Sequence, residues 1–268
     1  MKVAVAQMQC ALGDVEANGA QMADLARQAA REGCTAIVFP EISDVGYDAE
    51  TIRERARTWK EKPFRTVQSA AKKNKVHILC GLAEREGKTI YNSIAVFDDT
   101  GALIGRYRKA HLFTPSPVNE DRCFTPGNRL EVVNIGGLKW GLFICYDLRF
   151  PEMARALALK GAEVLALPTA WPFPRVAHLE ILLAARAIEN QAYVVTANHV
   201  GTAGGVTFCG SSRIVDPYGV IVTAAAVDRA ELLVGEIDPG KLKWARARMP
   251  IFRDRREDVY AEGKVLNR

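Results

Sequence analysis

The stretch Lys139-Trp-Gly-Leu-Phe-Ile-Cys145-Tyr-Asp-Leu-Arg-Phe-Pro-Glu152 runs from an apolar segment into the start of a helix, with a thiol between the two. The apolar residues before Cys145 predict a strand that is buried on both faces. Pro151 and Glu152 are typical of a first helical turn, where proline gives up no needed N–H. Because the partial positive charge of a helix N-terminus favours a thiolate, Cys145 is a candidate nucleophile. The same pattern also fits a cysteine that is only a small buried hydrophobe.

Strand and helix patterns alternate along the rest of the chain. Residues 2–8 alternate as a strand, residues 18–31 repeat apolar side chains at helical spacing, and residues 36–39 form a short buried strand. Hairpins are predicted within 91–108 and 212–223, and they add antiparallel pairs. The sequence therefore predicts an α/β protein with layered, mixed sheets rather than a purely parallel sheet. Further helices are predicted at 64–73, 151–160 and 179–190, and further strands at 76–82, 164–167, 192–197 and 231–237.

The composition is typical of a single globular domain over residues 1–268. Hydrophobic residues make up 49% of the chain and charged residues 25%, and no linker-like segment divides it. The net charge is +5, and acidic residues interrupt the basic stretch 241–256, so no nucleic-acid partner is expected. No apolar run approaches the roughly 18 residues that span a bilayer, and the N-terminus shows no signal-peptide pattern. We therefore expect a cytoplasmic protein without a membrane partner.

Neither the cysteines nor the histidines have the spacing of a metal site. The six cysteines include no Cys-x-x-Cys pair, and the four histidines form no His-x-x-x-His pattern. Glycine-rich phosphate-binding motifs are also missing, and Gly204 and Gly205 are interpreted as part of a flexible loop. The expected chemistry therefore needs no metal and no cofactor. His111 and His178 are interpreted as structural hydrogen-bond partners.

Two charged residues follow predicted strands and could join the thiol. Glu41 comes directly after Ile37-Val-Phe-Pro40, and Lys109 directly after Ile104-Gly-Arg-Tyr-Arg108. Catalytic groups of α/β proteins collect at strand ends and in the loops beyond them. Glu41 could equally be the N-cap of a following helix, and Lys109 could be part of an exposed basic edge.

Taken together, these segments resemble a known family. Phe39-Pro-Glu41, Arg108-Lys-Ala-His-Leu-Phe113 and Ile144-Cys-Tyr-Asp-Leu-Arg-Phe-Pro-Glu152 are similar, in order and spacing, to the three signatures of the nitrilase or carbon-nitrogen hydrolase superfamily. The resemblance implies a four-layer α-β-β-α sandwich with two mixed sheets, and subunits that pair into a homodimer or a higher oligomer. It also implies a catalytic triad, in which Glu41 is the general base, Lys109 stabilises the tetrahedral intermediate and Cys145 is the nucleophile.

A second glutamate often accompanies the triad in this family. The segment Glu120-Asp-Arg-Cys-Phe-Thr-Pro-Gly127 is similar to the family pattern around that residue, which predicts that Glu120 lies in the site. Without the resemblance, Glu120 would be interpreted as an ordinary loop charge.

The residues after Cys145 narrow the substrate. Cys-Tyr-Asp resembles the amidase branches of the family, whereas true nitrilases usually carry Cys-Trp-Glu. The favoured interpretation is a thiol amidohydrolase that acts on a small aliphatic carboxamide or an omega-amide. Arg175 is the candidate partner for a distal substrate carboxylate, because arginine suits carboxylates. Aromatic residues predicted to line the acyl pocket, if they are not merely packing residues, are Tyr47, Tyr146, Trp171 and Phe173.

Other functions stay open at this point. An N-carbamoyl hydrolase or a nitrilase would use the same triad, and a non-catalytic interaction module could share the scaffold. The C-terminal segment, from about 239 to 268, is expected to be an extension that packs at a subunit interface. In every catalytic alternative the partner is a small molecule.

Overall fold

The computed structural model describes residues 1–116 and 118–262. Most of the predicted strands and helices lie within one or two residues of their expected bounds. The strands are β1 (Lys2–Gln7), β2 (Ala36–Val38), β3 (His77–Glu86), β4 (Thr89–Phe97), β5 (Leu103–Arg108), β6 (Glu131–Ile135), β7 (Leu138–Leu142), β8 (Val164–Thr169), β9 (Tyr193–Asn198), β10 (Val200–Ala203), β11 (Val206–Cys209), β12 (Arg213–Val215), β13 (Ile221–Ala224) and β14 (Glu231–Glu236). The α-helices are α1 (Val15–Arg31), α2 (Ala49–Arg55), α3 (Phe64–Asn74), α4 (Pro151–Leu159), α5 (Val176–Asn190), α6 (Pro239–Arg248) and α7 (Glu257–Glu262).

The strands form two six-stranded sheets, both of them mixed. The first sheet has the order β14-β1-β2-β3-β4-β5, and the second has the order β13-β12-β9-β8-β7-β6. In each sheet three central strands are parallel, β1-β2-β3 in one and β7-β8-β9 in the other, and antiparallel strands flank them. A separate hairpin consists of β10 and β11.

Alternation along β1 shows how the layers are built. Val3 and Val5 belong to the apolar core that also contains residues of the second sheet, whereas Ala4 and Ala6 pack with residues of α1 and α3. Successive side chains of a strand point to opposite faces, so one strand contributes to both cores. Helices α4 and α5 cover the second sheet, with side chains such as Leu157 and Leu183 in its core. The predicted four-layer α-β-β-α sandwich with two mixed sheets is confirmed.

One local prediction is wrong. The strand before the thiol, β7, ends at Leu142 rather than at Ile144, although the Phe143 N–H still donates to the Ala166 carbonyl at 3.2 Å. Phe143 and Ile144 are buried, and apolar character reports burial and not strand pairing. Gly204 and Gly205, interpreted above as a loop, form the two-residue turn between β10 and β11, and both have a positive φ.

The C-terminal segment packs on the second sheet and its helices as far as it is described. The Gln191 side-chain amide donates to the carbonyls of Ala245 and Met249, at 3.1 and 2.7 Å, and Arg246 donates to the Ala162 carbonyl at 2.8 Å. Residues 263–268 of the predicted extension lie outside the described residues. Among the described helices, none has the length and apolar character needed to cross a membrane.

Candidate active site

Cys145 begins a short 3-10 turn, Cys145–Arg149, that fills the gap between β7 and α4. Its φ of 42° lies in the left-handed region, which is rarely occupied by residues other than glycine and costs about 1–3 kcal/mol. The Asp147 carboxylate holds this turn, since it accepts a hydrogen bond from the backbone N–H of Ile144 at 2.8 Å. The thiol is therefore presented by a tightly fixed turn rather than by the end of a strand.

Glu41 lies in the turn that follows β2, and its side chain is fully buried. Its Oε1 accepts hydrogen bonds from Lys109 Nζ at 2.7 Å and from Asn92 Nδ2 at 2.6 Å. Its Oε2 accepts the backbone N–H of Ala170 at 2.9 Å. The N-cap alternative for Glu41 is wrong, because the next helix, α2, begins later and has Asp48 as its N-cap.

Lys109 is buried between two carboxylates. Its Nζ lies 2.7 Å from Glu41 Oε1 and 2.8 Å from Glu120 Oε1. The alternative that Lys109 belongs to an exposed basic edge is therefore wrong. Glu120, in the 3-10 turn Glu120–Arg122, is also held by the Tyr47 hydroxyl and by the backbone N–H of Phe113, which donates to Oε2 at 2.6 Å.

Burial and neighbouring charges set the protonation states. Burial raises the pKa of Glu41, Lys109 opposes this rise and Glu120 adds to it. Burial alone would lower the pKa of Lys109, but Glu120 and Glu41 outweigh it and raise that pKa above its ordinary value. Burial and the Glu41 charge raise the pKa of the Cys145 thiol well above its ordinary range. This raised pKa disfavours the thiolate expected from a nearby helix N-terminus, so Cys145 would need a base to act as a nucleophile.

A small cleft opens above Cys145, and most of the predicted substrate residues line it. Tyr47, Tyr146, Trp171 and Arg175 line it. Phe173 does not, because its side chain is 42% exposed and lies in an outer cavity beside Arg175. Aromatic character alone does not tell which way a loop side chain points, and a contact between Phe173 and the substrate stays a prediction. The remaining lining residues were missed from the sequence: Phe113, Val118, Arg149, Ala170, Pro172, Val206 and Phe208.

Sequence reasoning also missed a buried amide in the site. Asn92 lies on β4 and donates to Glu41 Oε1 at 2.6 Å and to Glu120 Oε1 at 3.3 Å, so it contacts both carboxylates. The signal was present as two polar residues, Asn92 and Ser93, within an otherwise apolar strand. Such residues are buried only when a partner satisfies them.

The sandwich fold and the cluster of Cys145, Glu41 and Lys109 place this protein among the nitrilase-like hydrolases. The sequence model of the carbon-nitrogen hydrolase family matches residues 2–247, and the chain belongs to this family. It is 36% identical over 267 residues to a nitrilase from Pyrococcus abyssi, covering 97% of this chain and 99% of the relative. It is also 36% identical over 225 residues to a 2-oxoglutaramate amidase from Bacillus subtilis, covering 84% and 86% of the two chains.

Solved structures agree with these relatives. A variant of the amidase from Nesterenkonia sp. AN1, in complex with acrylamide, is similar to this chain with a TM-score of 0.87 and 28% identity, covering 98% of this chain and 96% of that one. In another structure of that amidase, the acetamide moiety of fluoroacetamide is added covalently at the active-site cysteine.

Proposed function

We propose that this protein is a thiol amidohydrolase that cleaves the C–N bond of a small aliphatic carboxamide or omega-amide. The observation that carries the proposal is a half-buried thiol in a small cleft, next to a buried Glu41 and a buried Lys109 whose ammonium lies 2.7 and 2.8 Å from two carboxylates. Amidases among the relatives and structural neighbours support the same reaction.

The reaction starts with the thiol. Glu41 takes the Cys145 proton while the sulfur attacks the carbonyl carbon. The oxyanion that forms accepts hydrogen bonds from the Lys109 ammonium and from the backbone N–H of Tyr146. Each oxyanion donor of this kind contributes about 3 kcal/mol. Glu41 then returns the proton to the departing nitrogen, the C–N bond breaks and ammonia leaves a thioester behind.

Hydrolysis of the thioester completes the cycle. A water molecule gives a proton to Glu41 and attacks the same carbonyl carbon. The tetrahedral intermediate collapses, the C–S bond breaks and the sulfur regains the proton from Glu41. In this scheme the raised pKa of Glu41 is useful, because a carboxylate whose pKa lies closer to neutrality is a better base and a better acid in turn.

A screen for ammonia release tests the reaction class. Wild-type protein is expected to release ammonia from aliphatic amides, and Cys145→Ala is expected to lower kcat on the order of 10⁴-fold while the fold survives. Cys34→Ala is the matched control, because Cys34 is a buried cysteine under α1, remote from the cleft. Unchanged turnover in Cys145→Ala, or no product from any amide, would contradict the proposal, and a non-catalytic interaction module would then gain support.

Nitrile hydrolysis is the second candidate, because one full-length relative is a nitrilase. The residues after Cys145 still favour amides. The same screen separates these reactions if it includes nitriles and N-carbamoyl amino compounds. A kcat/KM that is highest for a nitrile would overturn the substrate class but leave the role of the thiol intact.

An omega-amide carries a distal carboxylate, and we propose that Arg175 binds it. Within the described part of the chain, Arg175 forms no ion pair, and its guanidinium carbon lies 5.9 Å from the centre of the Phe113 ring. Arg149 lines the same cleft and stacks over Trp171 at 4.7 Å. Two cations beside one apolar cleft fit a short acyl chain that ends in a carboxylate.

Two substrates that differ in charge test this assignment. Arg175→Met is expected to raise KM for succinamate about 10- to 100-fold, because a charge-assisted hydrogen bond is lost. Turnover of uncharged propionamide should change less than about threefold. Arg129→Met, at an exposed arginine outside the cleft, is the control. An equal rise in KM for both substrates would show that Arg175 shapes the cleft but does not bind the carboxylate.

We also propose that the protein is a homo-oligomer that works in the reducing cytoplasm, where its free thiols persist. An apolar strip supports self-association: Ile181 and Ile188 of α5 are 67% and 52% exposed, and Trp244 is 58% exposed. Light scattering is expected to give at least twice the chain mass of 29.4 kDa. Cell fractionation tests the location, and recovery of the protein outside the cytoplasm would contradict it.

A further inference from the structure

Asp147 is a buried carboxylate that the reaction scheme does not use. It lies two residues after Cys145 and is fully buried. Its Oδ2 accepts hydrogen bonds from the Ile144 N–H at 2.8 Å and from the Tyr107 hydroxyl at 2.7 Å. Its Oδ1 accepts the backbone N–H of His111 at 3.0 Å and lies 2.7 Å from His111 Nδ1. One carboxylate thus accounts for four polar contacts.

These contacts come from two different parts of the chain. Ile144 precedes the nucleophile, whereas Tyr107 and His111 lie two residues before and two residues after Lys109. The Tyr107 hydroxyl also accepts the N–H of Ala110 at 3.0 Å, so both sides of Lys109 are tied to the same group. Backbone hydrogen bonds also hold Lys109, since its N–H donates to the Asn92 carbonyl and its carbonyl accepts the Gly127 N–H, both at 2.8 Å. Neither of these bonds reaches the turn that carries Cys145, whereas those of Asp147 do.

We infer that Asp147 is a positioning residue that holds the Cys145 thiol and the Lys109 ammonium in register across the two sheets. The inference rests on the proposed roles of Cys145 and Lys109. An error of about 1 Å between reacting groups can cost about 100-fold in rate. The left-handed backbone of Cys145 also needs an external constraint, and the bond from Ile144 to Asp147 supplies one at the preceding residue.

A purely structural cap would make different contacts. A cap needs only donors from its own turn, and Ile144 meets that need. The bonds from Tyr107 and His111 add nothing to the turn Cys145–Arg149, but they fix the segment that carries Lys109. The arrangement therefore predicts that the loss falls mainly on kcat, because these bonds position the thiol and the ammonium relative to each other.

Two variants at different ends of this network test the inference. Tyr107→Phe removes one hydroxyl and keeps the ring, and it is expected to lower kcat for propionamide about 10-fold with KM within about twofold. Asp147→Asn is expected to lower kcat about 100-fold. Tyr193→Phe is the matched control, because Tyr193 is buried and its hydroxyl accepts only a remote hydrogen bond from the Asp238 N–H at 3.2 Å.

The double variant shows whether Tyr107 acts through Asp147. Tyr107→Phe combined with Asp147→Asn is expected to lower kcat no further than Asp147→Asn alone. If the loss of kcat in the double variant equals the product of the two single losses, the inference is overturned. It is also overturned if Tyr107→Phe has the same kcat as Tyr193→Phe. If Asp147→Asn does not fold, the comparison between the two tyrosine variants still decides.

A second readout does not depend on amide turnover. Iodoacetamide labels Cys145 and the half-buried Cys123 in the same sample, and mass spectrometry gives the ratio of the two rates. Tyr107→Phe is expected to lower the Cys145 to Cys123 ratio several-fold, because the thiol no longer faces Glu41 in the right geometry. A lowered ratio in a protein without amidase activity would refute the proposed function and keep the inference. If the ratio is unchanged by Tyr107→Phe while the wild-type protein hydrolyses amides, the proposed function stands and the inference is refuted.

Discussion

Three buried charges share one corner of the site, and their balance determines which groups can move a proton. Lys109 is one cation between the two carboxylates of Glu41 and Glu120. Both carboxylates attract the ammonium and raise the pKa of Lys109, whereas burial first and the Glu120 charge second raise the pKa of Glu41 and make it harder to ionise. In the free site, Glu41, Glu120 and Lys109 therefore titrate as a coupled set, and no single pKa belongs to one of them alone.

Removing the Glu120 charge should shift the pH profile in a defined direction. The base must be ionised, so activity is lost as the pH falls through the raised pKa of Glu41. Glu120→Gln removes a like charge, so the pKa of Glu41 should fall and the acid limb of kcat/KM should move about one unit to lower pH. The pH dependence of kcat/KM for propionamide measures this shift. Glu86→Gln, at an exposed glutamate, should leave the limb in place.

If the acid limb of kcat/KM in Glu120→Gln is unchanged or moves to higher pH, Glu120 does not act on Glu41 through its charge. A lower kcat alone would not support the prediction, because Glu120 also accepts the Phe113 N–H and holds Tyr47.

The residues that carry charge were predictable from the sequence, and those that hold them were not. Glu41, Lys109 and Cys145 each lie in a short motif that a family resemblance can identify. Their partners are far away along the chain, because Asn92 and Ala170 are 51 and 129 residues from Glu41. His199, whose ring contacts the Glu41 carbonyl, is farther still. No local pattern reports contacts that only the folded chain creates.

Among the elements, β3 and the loop after β2 pack backbone against backbone. Gly81 lies on β3 beneath the turn that carries Glu41, and a Cβ there would come within 2.4 Å of the Pro40 carbonyl oxygen and 2.5 Å of the Glu41 Cα. Both neighbours are backbone atoms and cannot rotate away. A glycine at this position therefore lets the strand and the turn approach to hydrogen-bond distance, as the Gly81 N–H does with Pro40 at 3.1 Å.

Gly81→Ala should damage both stability and catalysis. The overpacked backbone is expected to cost about 1–3 kcal/mol in the free energy of unfolding, and displacement of Glu41 should lower kcat up to about 100-fold. Gly19→Ala is the control, and its effect on the free energy of unfolding is expected to have the opposite sign. A Cβ at Gly19 in α1 would lie 3.6 Å from its nearest neighbour, which is an ordinary contact distance. That variant should gain about 1 kcal/mol from helix propensity and keep its activity. Urea unfolding and steady-state kinetics measure both effects, and a Gly81→Ala enzyme with normal stability and kcat would contradict the prediction.

The alternation of elements was readable because amphipathic periodicity is local, but strand ends were not. Residues Phe143 and Ile144 look like a continuation of β7 because both are buried apolar residues. The ladder with β6 and β8 ends at Leu142, and only one further bond, from the Phe143 N–H to the Ala166 carbonyl at 3.2 Å, continues toward β8 in the described part of the chain. Where pairing stops depends on β6 and β8 rather than on the sequence of β7 itself. The position at which β7 ends matters for function, because it places Cys145 in a turn rather than at the end of a strand.

In the whole molecule, the proposed catalytic groups come from both sheets. Glu41 and Lys109 follow β2 and β5 of the first sheet, whereas Cys145 and Ala170 follow β7 and β8 of the second. A shift of one sheet against the other would therefore separate the thiol from its proposed base. Contacts that stabilise the outer layers, including the proposed contacts between subunits, should consequently affect catalysis even at a distance from the cleft.

The apolar strip on α5 is where such a contact between subunits is expected. The strip is continuous, because Ile188 lies beside Gly219 and the Tyr218 ring lies 5.8 Å from the Trp244 ring. Ile188→Glu would place a charge at its centre, so burial against a second copy would become unfavourable by several kcal/mol. Light scattering should then show a monomer where the wild type is an oligomer. Val227→Glu, at an equally exposed loop position, should leave the mass unchanged, and an Ile188→Glu protein with the wild-type mass would exclude this strip as the interface.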